Sequence, residues 1–218
     1  MAPSAIHEPA TSNPAKALIH HSPRALAHVV LRTRPENYET MIRFYQNILG
    51  AKLVHKDPVL AFLRYDQEHH RIALISSPET QPKSKSSAGL DHIAFSYSTL
   101  TQLAQQYVYL KSMENPIKPL WSVNHGPTTS LYYRDPDGNK IELQVDNFDV
   151  PEDADAFMSG PLYDTNPMGT DFDADKWADD ILSKALPDGS EGLSMQEIKE
   201  KKTRKEVGER HELPDGFF

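Results

Sequence analysis

The spacing of hydrophobic positions changes within the first third of the chain, from a strand-like run to a helical repeat. Residues Ala25–Arg32 are rich in β-branched and aliphatic side chains, which predicts a strand. From Pro35 to Leu49 apolar positions recur at helical spacing, and Gly50 follows as a residue suited to end a helix. These apolar positions are Met41, Phe44, Tyr45 and Ile48. Three more strands are predicted at Lys52–His55, Val59–Arg64 and His70–Ile75.

The same order of elements recurs after a linker, 76–88, that is rich in Pro, Lys and Ser. Leu90–Tyr97 predicts a strand and Thr99–Lys111 a helix. Three strands are then predicted at Ile117–Trp121, Thr129–Tyr133 and Lys140–Val145, with a strong turn at Asp135–Gly138. A repeat of about 60 residues indicates two equivalent units. We therefore predict an α+β fold in which two paired βαβββ modules, 23–77 and 89–149, form a mixed-sheet open barrel.

The chain on either side of the two modules has a different composition. Residues 1–22 are rich in Pro, Ser, Ala and Thr and are interpreted as a flexible leader. Residues 150–218 are acidic, rich in Pro and poor in aliphatic side chains. Helices are predicted there at Asp175–Leu186 and Met195–Gly208, behind the N-caps Asp173 and Ser194. This segment is predicted to be an arm that lies on the modules or on a partner subunit, and a homodimer or higher homo-oligomer is expected.

Composition narrows the classes of function. Of the 218 residues 38% are hydrophobic and 25% are charged, which suits one globular domain with added arms. The formal net charge is −8, so the chain lacks the excess of basic residues that is typical of proteins that bind nucleic acid or anionic membranes. No apolar run in the sequence is long enough to cross a bilayer. Because cysteine is absent, any transition metal must be bound by His, Asp or Glu. A cytoplasmic protein is expected.

Two histidines occupy equivalent places in the two modules. Alignment of the modules matches His28 to His92, each on a first strand. Side chains alternate along a strand, so Glu142 on the last strand of module two can face the same cavity if the modules curl together. Two imidazoles and one carboxylate form the facial triad of non-haem iron(II) sites. The position equivalent to Glu142 in module one is Ala73, which cannot bind a metal, so positions on the metal stay open for substrate and dioxygen.

The stretch that ends at Glu142 carries a longer motif. It reads His125-Gly-Pro-Thr-Thr-Ser-Leu131-Tyr132-Tyr-Arg-Asp135-Pro136-Asp-Gly138-Asn-Lys-Ile-Glu142. The paired modules, with Phe44-Tyr45 followed by Leu49-Gly50, resemble the vicinal oxygen chelate superfamily. Within that superfamily the motif resembles the signature of the type I extradiol ring-cleavage dioxygenases. The resemblance covers about residues 24–146 and does not extend to the arm.

The resemblance implies a role for each motif residue. The implied iron(II) ligands are His28, His92 and Glu142. A catecholic substrate would bind the iron through both oxygens before dioxygen reacts. His69-His70 stands where the family has a His-His pair, so His70 would be the acid–base residue. His125 would hydrogen-bond the oxygen side of the reaction, and Tyr132 would donate to a substrate oxygen. Many members carry a second, non-catalytic pair of modules. Because 218 residues are too few for a second pair, the resemblance implies a single-domain form.

Other interpretations of these residues stay open. The His69-His70 pair could be part of an exposed polar turn, and Tyr132 could serve strand packing alone. A different metalloenzyme of this fold, such as an isomerase, epimerase or thiol transferase, would also use His and Glu ligands, but it would not need His70, His125 and Tyr132. A metal-free binding protein of this fold would be expected to have lost the ligands. We expect an iron(II)-dependent extradiol dioxygenase that cleaves a catecholic ring with O2.

Overall fold

Module one folds as a four-stranded sheet packed on one helix. The computed structural model describes residues 21–84, 88–208, 213–214 and 217, so the predicted leader lies almost entirely outside the described residues. The elements of module one are β1 (Val29–Thr33), a 3-10 turn (Pro35–Asn37), α1 (Tyr38–Leu49), β2 (Lys52–Lys56), β3 (Leu60–Arg64) and β4 (Ile72–Ser76). The strand order is β1-β4-β3-β2, with β1 parallel to β4. The four predicted helix positions Met41, Phe44, Tyr45 and Ile48 are all buried, which confirms the amphipathic helix.

The predicted first strand begins too early. β1 starts at Val29, so His28 lies one residue before the strand and not within it. The partner strand β4 starts at Ile72, which pairs with Val29, so the residues before Val29 have no paired strand residue in β4. The Arg71 guanidinium instead donates to the backbone carbonyls of Leu26 and Ala27, at 2.6 and 3.0 Å.

Module two repeats this arrangement. Its elements are β5 (His92–Ser96), α2 (Leu100–Ser112), β6 (Trp121–Asn124), β7 (Thr128–Arg134) and β8 (Lys140–Asp146). The strand order is β5-β8-β7-β6, with β5 parallel to β8. The strand predicted at Ile117–Trp121 is wrong, since β6 begins at Trp121. Pro116 and Pro119 lack the N–H groups that a sheet ladder requires, so the strand does not extend back through them, although the Leu120 N–H still donates to the Tyr132 carbonyl of β7 at 2.6 Å.

The predicted alignment of the two modules is confirmed by strand register. Val30 pairs with Ala73 in module one, and Ala94 pairs with Glu142 in module two. His28 and His92 each lie two residues before the paired position, so Ala73 occupies the place of Glu142. Over the residues that the structure describes, the result is a mixed α+β fold with two separate sheets and no closed barrel.

The modules meet where β1 ends and β8 begins. Asp137, in the turn before β8, accepts hydrogen bonds from Thr33, from Arg34 at 3.3 Å and from Asn37 at 2.7 Å. The buried Tyr45 hydroxyl donates to the Asp135 carboxylate at 2.9 Å. Burial raises the pKa of Tyr45, and the adjacent Asp135 raises it further, so the phenol stays a donor. These contacts fix the carboxyl end of β1 against module two.

The segment after the modules packs on module two. It contains α3 (Pro151–Met158), α4 (Pro161–Thr165), β9 (Thr170–Asp171), α5 (Ala174–Leu182) and α6 (Met195–Lys202). Side chains of Asp173 and Ser194 cap α5 and α6, as predicted, although both helices end earlier than expected. The sequence interpretation missed α3, α4 and β9, which extends the sheet by pairing with β6. α5 packs against α2 and buries Ile181. No helix in the described ranges is long and apolar enough to span a bilayer.

Candidate metal centre

Half-buried His92 and buried Glu142 form an imidazole–carboxylate pair on neighbouring strands. The parallel register of β5 and β8 places His92 Nε2 3.1 Å from Glu142 Oε2. Glu142 is only 4% exposed, although it lies on a strand face. His92 Nδ1 is 2.8 Å from Asp91 Oδ1, and a carboxylate at this nitrogen commonly orients a metal-binding histidine. One nitrogen and one carboxylate oxygen therefore converge as a donor set that fits a divalent cation.

The electrostatics of the pair favour the ionised carboxylate. The hydrogen bond to Glu142 raises the pKa of His92, against the effect of burial, and Asp91 raises it further. Burial alone would raise the pKa of Glu142, but hydrogen bonds from His92 and Ser130 outweigh it and the pKa is lowered. Without a metal the carboxylate and the imidazole stabilise each other, and a bound cation would replace the shared proton.

Tyr132 and His125 lie beside this pair. His125 Nε2 is 3.0 Å from the Tyr132 hydroxyl, and the same hydroxyl hydrogen-bonds to Glu142. Burial, together with the Glu142 charge, raises the pKa of Tyr132, so this phenol is a hydrogen-bond donor at neutral pH. Burial lowers the pKa of His125, which favours the neutral imidazole. The motif residues Glu142, Tyr132 and His125 therefore lie together with His92 of β5.

The C-terminal arm encloses this half of the site through Phe217, a residue that the sequence interpretation did not single out. The Phe217 ring lies 5.3 Å from the rings of both Trp121 and Tyr132. Trp121 is buried and stacks on Tyr132. The Lys140 ammonium lies 3.9 Å from the centre of the Phe217 ring. No local pattern in the sequence marks Phe217, because its contacts lie far away along the chain.

The arm also holds the loop that carries His125. Gly126 has a positive φ of 104°, and a Cβ at this position would meet the Phe157 ring of α3 at 1.9 Å. Arg204 donates to the His125 backbone carbonyl at 3.2 Å. Glycine is therefore required at Gly126 both by the backbone conformation and by the close approach of the arm.

His28 and His70 lie together in a separate cluster of module one. The His28 and His70 ring centres are 4.4 Å apart, and ligand atoms of His28, His69 and His70 all lie within 4.8 Å of one another. Burial, followed by the neighbouring His28 and His69, lowers the pKa of His70. His69 is exposed and also belongs to this cluster. In the part of the chain that the structure describes, no such group joins His28 to His92 and Glu142.

Comparisons with known proteins agree on the family. Residues 25–143 match the model of the Glyoxalase/Bleomycin resistance protein/Dioxygenase superfamily. Biphenyl-2,3-diol 1,2-dioxygenase 2 of Rhodococcus globerulus is 45% identical over 148 residues, which cover 67% of this chain and 76% of the relative. Biphenyl-2,3-diol 1,2-dioxygenase 3 of the same organism is 43% identical over 149 residues, with the same coverage of 67% and 76%.

A solved lactoylglutathione lyase from Agrobacterium tumefaciens is 20% identical and has a TM-score of 0.44, covering 57% of this chain and 96% of its own. The matched region of the family model coincides with the two βαβββ modules and ends just beyond Glu142. The match to the family model over more than half of the chain, together with the two relatives from Rhodococcus globerulus, shows that this chain belongs to the Glyoxalase/Bleomycin resistance protein/Dioxygenase superfamily.

Proposed function

We propose that this protein is an iron(II)-dependent extradiol dioxygenase that opens a catecholic ring with O2. The observation that carries the proposal is the hydrogen-bonded set of His92, Glu142, Tyr132 and His125, which unites two expected ligands with two expected catalytic groups. The names of the two relatives from Rhodococcus globerulus support the same activity on an aromatic diol.

Glu142 and His92 would hold the iron, with His28 as the third ligand. When bound, iron(II) would provide adjacent open positions for a chelating diol and for dioxygen. Tyr132 would donate a hydrogen bond from its hydroxyl to a substrate oxygen, because burial keeps the phenol protonated. Neutral His125 can donate one hydrogen bond towards the oxygen side while its other nitrogen accepts one.

His70 would take a proton from the diol and later return it. Its lowered pKa keeps the imidazole neutral at pH 7, which is the form that accepts a proton. His70 stacks on Phe62 at 4.6 Å, and this apolar neighbour limits access of water to one face of the imidazole. The aromatic surface of Trp121 and Phe217 beside Tyr132 would suit a planar aromatic substrate.

Anaerobic loading with iron(II), followed by an oxygen-electrode screen of catechols from monocyclic to polycyclic, tests this function. We expect oxygen uptake and a coloured ring-opened product with at least one catechol. Parallel samples loaded with zinc(II) or manganese(II) should consume no oxygen. Turnover of a thiol adduct or an epimerisable substrate by those samples, without oxygen uptake by the iron form, would instead favour a different metalloenzyme of this fold.

A further inference from the structure

Three histidines of module one converge at the surface without any residue of module two. His28 precedes β1, His69 and His70 lie in the turn between β3 and β4, and one ligand nitrogen of each lies within 4.8 Å of the others. We propose that these three histidines form a second cation site, which prefers zinc(II) to iron(II) and competes with the proposed iron centre for His28. Binding of zinc is independent of the proposed function, and only its consequence for turnover rests on that function.

Backbone contacts hold the two segments of this cluster together. Val29 directly follows His28 in the chain. Its N–H donates to the carbonyl of Arg71, the residue after His70, at 2.9 Å. The Arg71 guanidinium also donates to two backbone carbonyls of the segment before His28, at 2.6 and 3.0 Å. The imidazoles are therefore brought together by contacts that do not depend on a bound metal.

Neighbouring side chains position two of the three imidazoles. The Glu68 carboxylate accepts a hydrogen bond from the His69 backbone N–H at 3.0 Å and also contacts His69 Nδ1. A carboxylate at one ring nitrogen fixes the tautomer and leaves the other nitrogen for a metal, as in many zinc sites. The His70 ring stacks on Phe62, with ring centres 4.6 Å apart. Little reorganisation is therefore needed when a cation binds.

The donor set favours zinc. Zinc(II) accepts three imidazoles and a water in tetrahedral geometry, with ligand nitrogens about 3.4 Å apart. Since the nitrogens of the cluster already lie within 4.8 Å of one another, small side-chain rotations would bring them onto one ion. His28 and His69 are exposed, so a hydrated ion can enter from solvent. Iron(II) binds nitrogen ligands less strongly than zinc, and the three-histidine set lacks the carboxylate that Glu142 gives to the proposed iron centre.

An occupied zinc site would remove two groups from the proposed reaction. His28 cannot bind both ions at once, and a His70 nitrogen bound to zinc cannot accept a proton from the diol. Zinc held by module one would therefore lower ring cleavage. His69 is the discriminating residue, because it belongs to the zinc cluster and has no role in the proposed reaction.

Zinc titration of a Glu142→Gln chain tests the cluster apart from the iron centre, because this variant lacks the carboxylate ligand of module two. Protein without a histidine tag would be titrated with zinc(II) by calorimetry and with cobalt(II) by visible absorption. We expect one ion per chain. Adding Glu68→Gln should weaken binding by about 10–100-fold, the usual cost of losing an outer carboxylate, and adding His69→Ala should weaken it more. Adding His55→Ala, which removes an exposed histidine of β2, should leave the affinity unchanged.

Folding controls keep the titration decisive. Each variant should have the thermal unfolding midpoint of the wild type without metal, and His92→Ala would replace Glu142→Gln as the background if that chain does not fold. A folded background chain that binds no zinc would overturn the proposal. Equal zinc affinity with and without His69→Ala would overturn it as well.

Zinc inhibition of the iron-loaded protein tests the consequence for turnover. His69→Ala should cleave catechol at the wild-type rate without zinc. Its inhibition should need a zinc concentration at least about tenfold higher than the wild type, since a lost ligand costs no less affinity than a lost outer carboxylate. Equal inhibition of both proteins would show that zinc acts at the iron ligands and would overturn this consequence. A wild-type protein that binds zinc through the cluster but cleaves no catechol would count against the proposed function alone.

Discussion

The two modules of this protein share one fold and one strand register, yet they differ in what the equivalent positions carry. Module one has Ala73 where module two has Glu142, and its histidines lie at an open surface. In module two the buried carboxylate contacts His92 and Tyr132 beneath Phe217 of the arm. Backbone pairing sets the sheet register, and it does not restrict which side chains stand at equivalent positions. The same fold can therefore supply imidazoles in module one and a carboxylate in module two.

The turns before the last strand show the same divergence. In module two Asp135 is 3% exposed and accepts hydrogen bonds from Tyr45, from the Asn139 side chain and from two backbone N–H groups. In module one Asp66 is exposed and bonds to Arg71 and to the Glu68 backbone. The turn of module two is therefore a buried junction between modules, whereas the turn of module one lies at the surface.

The largest expected effect comes from removing the carboxylate that distinguishes the modules. Glu142→Ala should lose bound iron and all measurable ring cleavage, because the variant lacks the buried carboxylate that contacts His92. Gln144→Ala, on the same face of β8, is the matched control and should keep both. Metal analysis and oxygen uptake measure the two properties. Full iron occupancy in Glu142→Ala would remove this residue from the metal site.

A second variant tests the contribution of module one. His70→Ala should keep iron and bind substrate but lose turnover by about 10²–10⁴-fold, the usual contribution of a group that moves protons. His55→Ala removes an exposed histidine of the neighbouring β2 and should leave turnover unchanged. Rates across neutral pH, with anaerobic substrate titration, separate proton transfer from binding. Wild-type rates for His70→Ala would assign the acid–base role to another group.

Much of the fold follows from local patterns in the sequence, and those patterns also explain what was missed. Alternation along β5 and β8 was sufficient to place His92 and Glu142 on one face, and the Ser194 capping box marks the start of α6. The strand expected at Ile117 failed because Pro116 and Pro119 remove ladder donors. In these cases the physical cause lies within a few residues, so the sequence is informative.

The parts of the site that could not be predicted depend on contacts between distant segments. Phe217 contacts Trp121 and Tyr132 across a large separation in sequence, and no periodic pattern records that contact. The alternation of side chains along a strand also predicts the sheet face on which His28 lies, but it does not predict how the two modules pack. The proposed ligands His28, His92 and Glu142 therefore remain a prediction as a set.

The contrast between the two turns predicts a difference in stability. Asp135→Ala should lower the free energy of unfolding by about 2–4 kcal/mol, because it leaves the buried Tyr45 hydroxyl and turn N–H groups without an acceptor. Asp66→Ala should cost less than about 1 kcal/mol, since its partners can bond to water. Urea unfolding of both variants measures the difference. Equal losses of unfolding free energy in the two variants would show that burial of the module two turn does not determine its contribution to stability.

The smallest effects separate Tyr132 from His125 within module two. Tyr132→Phe should weaken anaerobic substrate binding by about 0.5–1.5 kcal/mol, the usual net contribution of one hydrogen bond. His125→Ala should leave that affinity unchanged and lower kcat or the apparent affinity for oxygen, because in the proposed role its interaction would belong to states that follow oxygen binding. The two side chains are hydrogen-bonded at 3.0 Å, so a local structural disturbance would instead change both properties in both variants.

Tyr109→Phe, on the exposed surface of α2, is the control. Substrate titration without oxygen, followed by steady-state rates at varied oxygen, distinguishes the roles. Loss of anaerobic binding in His125→Ala with a normal dependence on oxygen would place His125 at the substrate wall and not on the oxygen side.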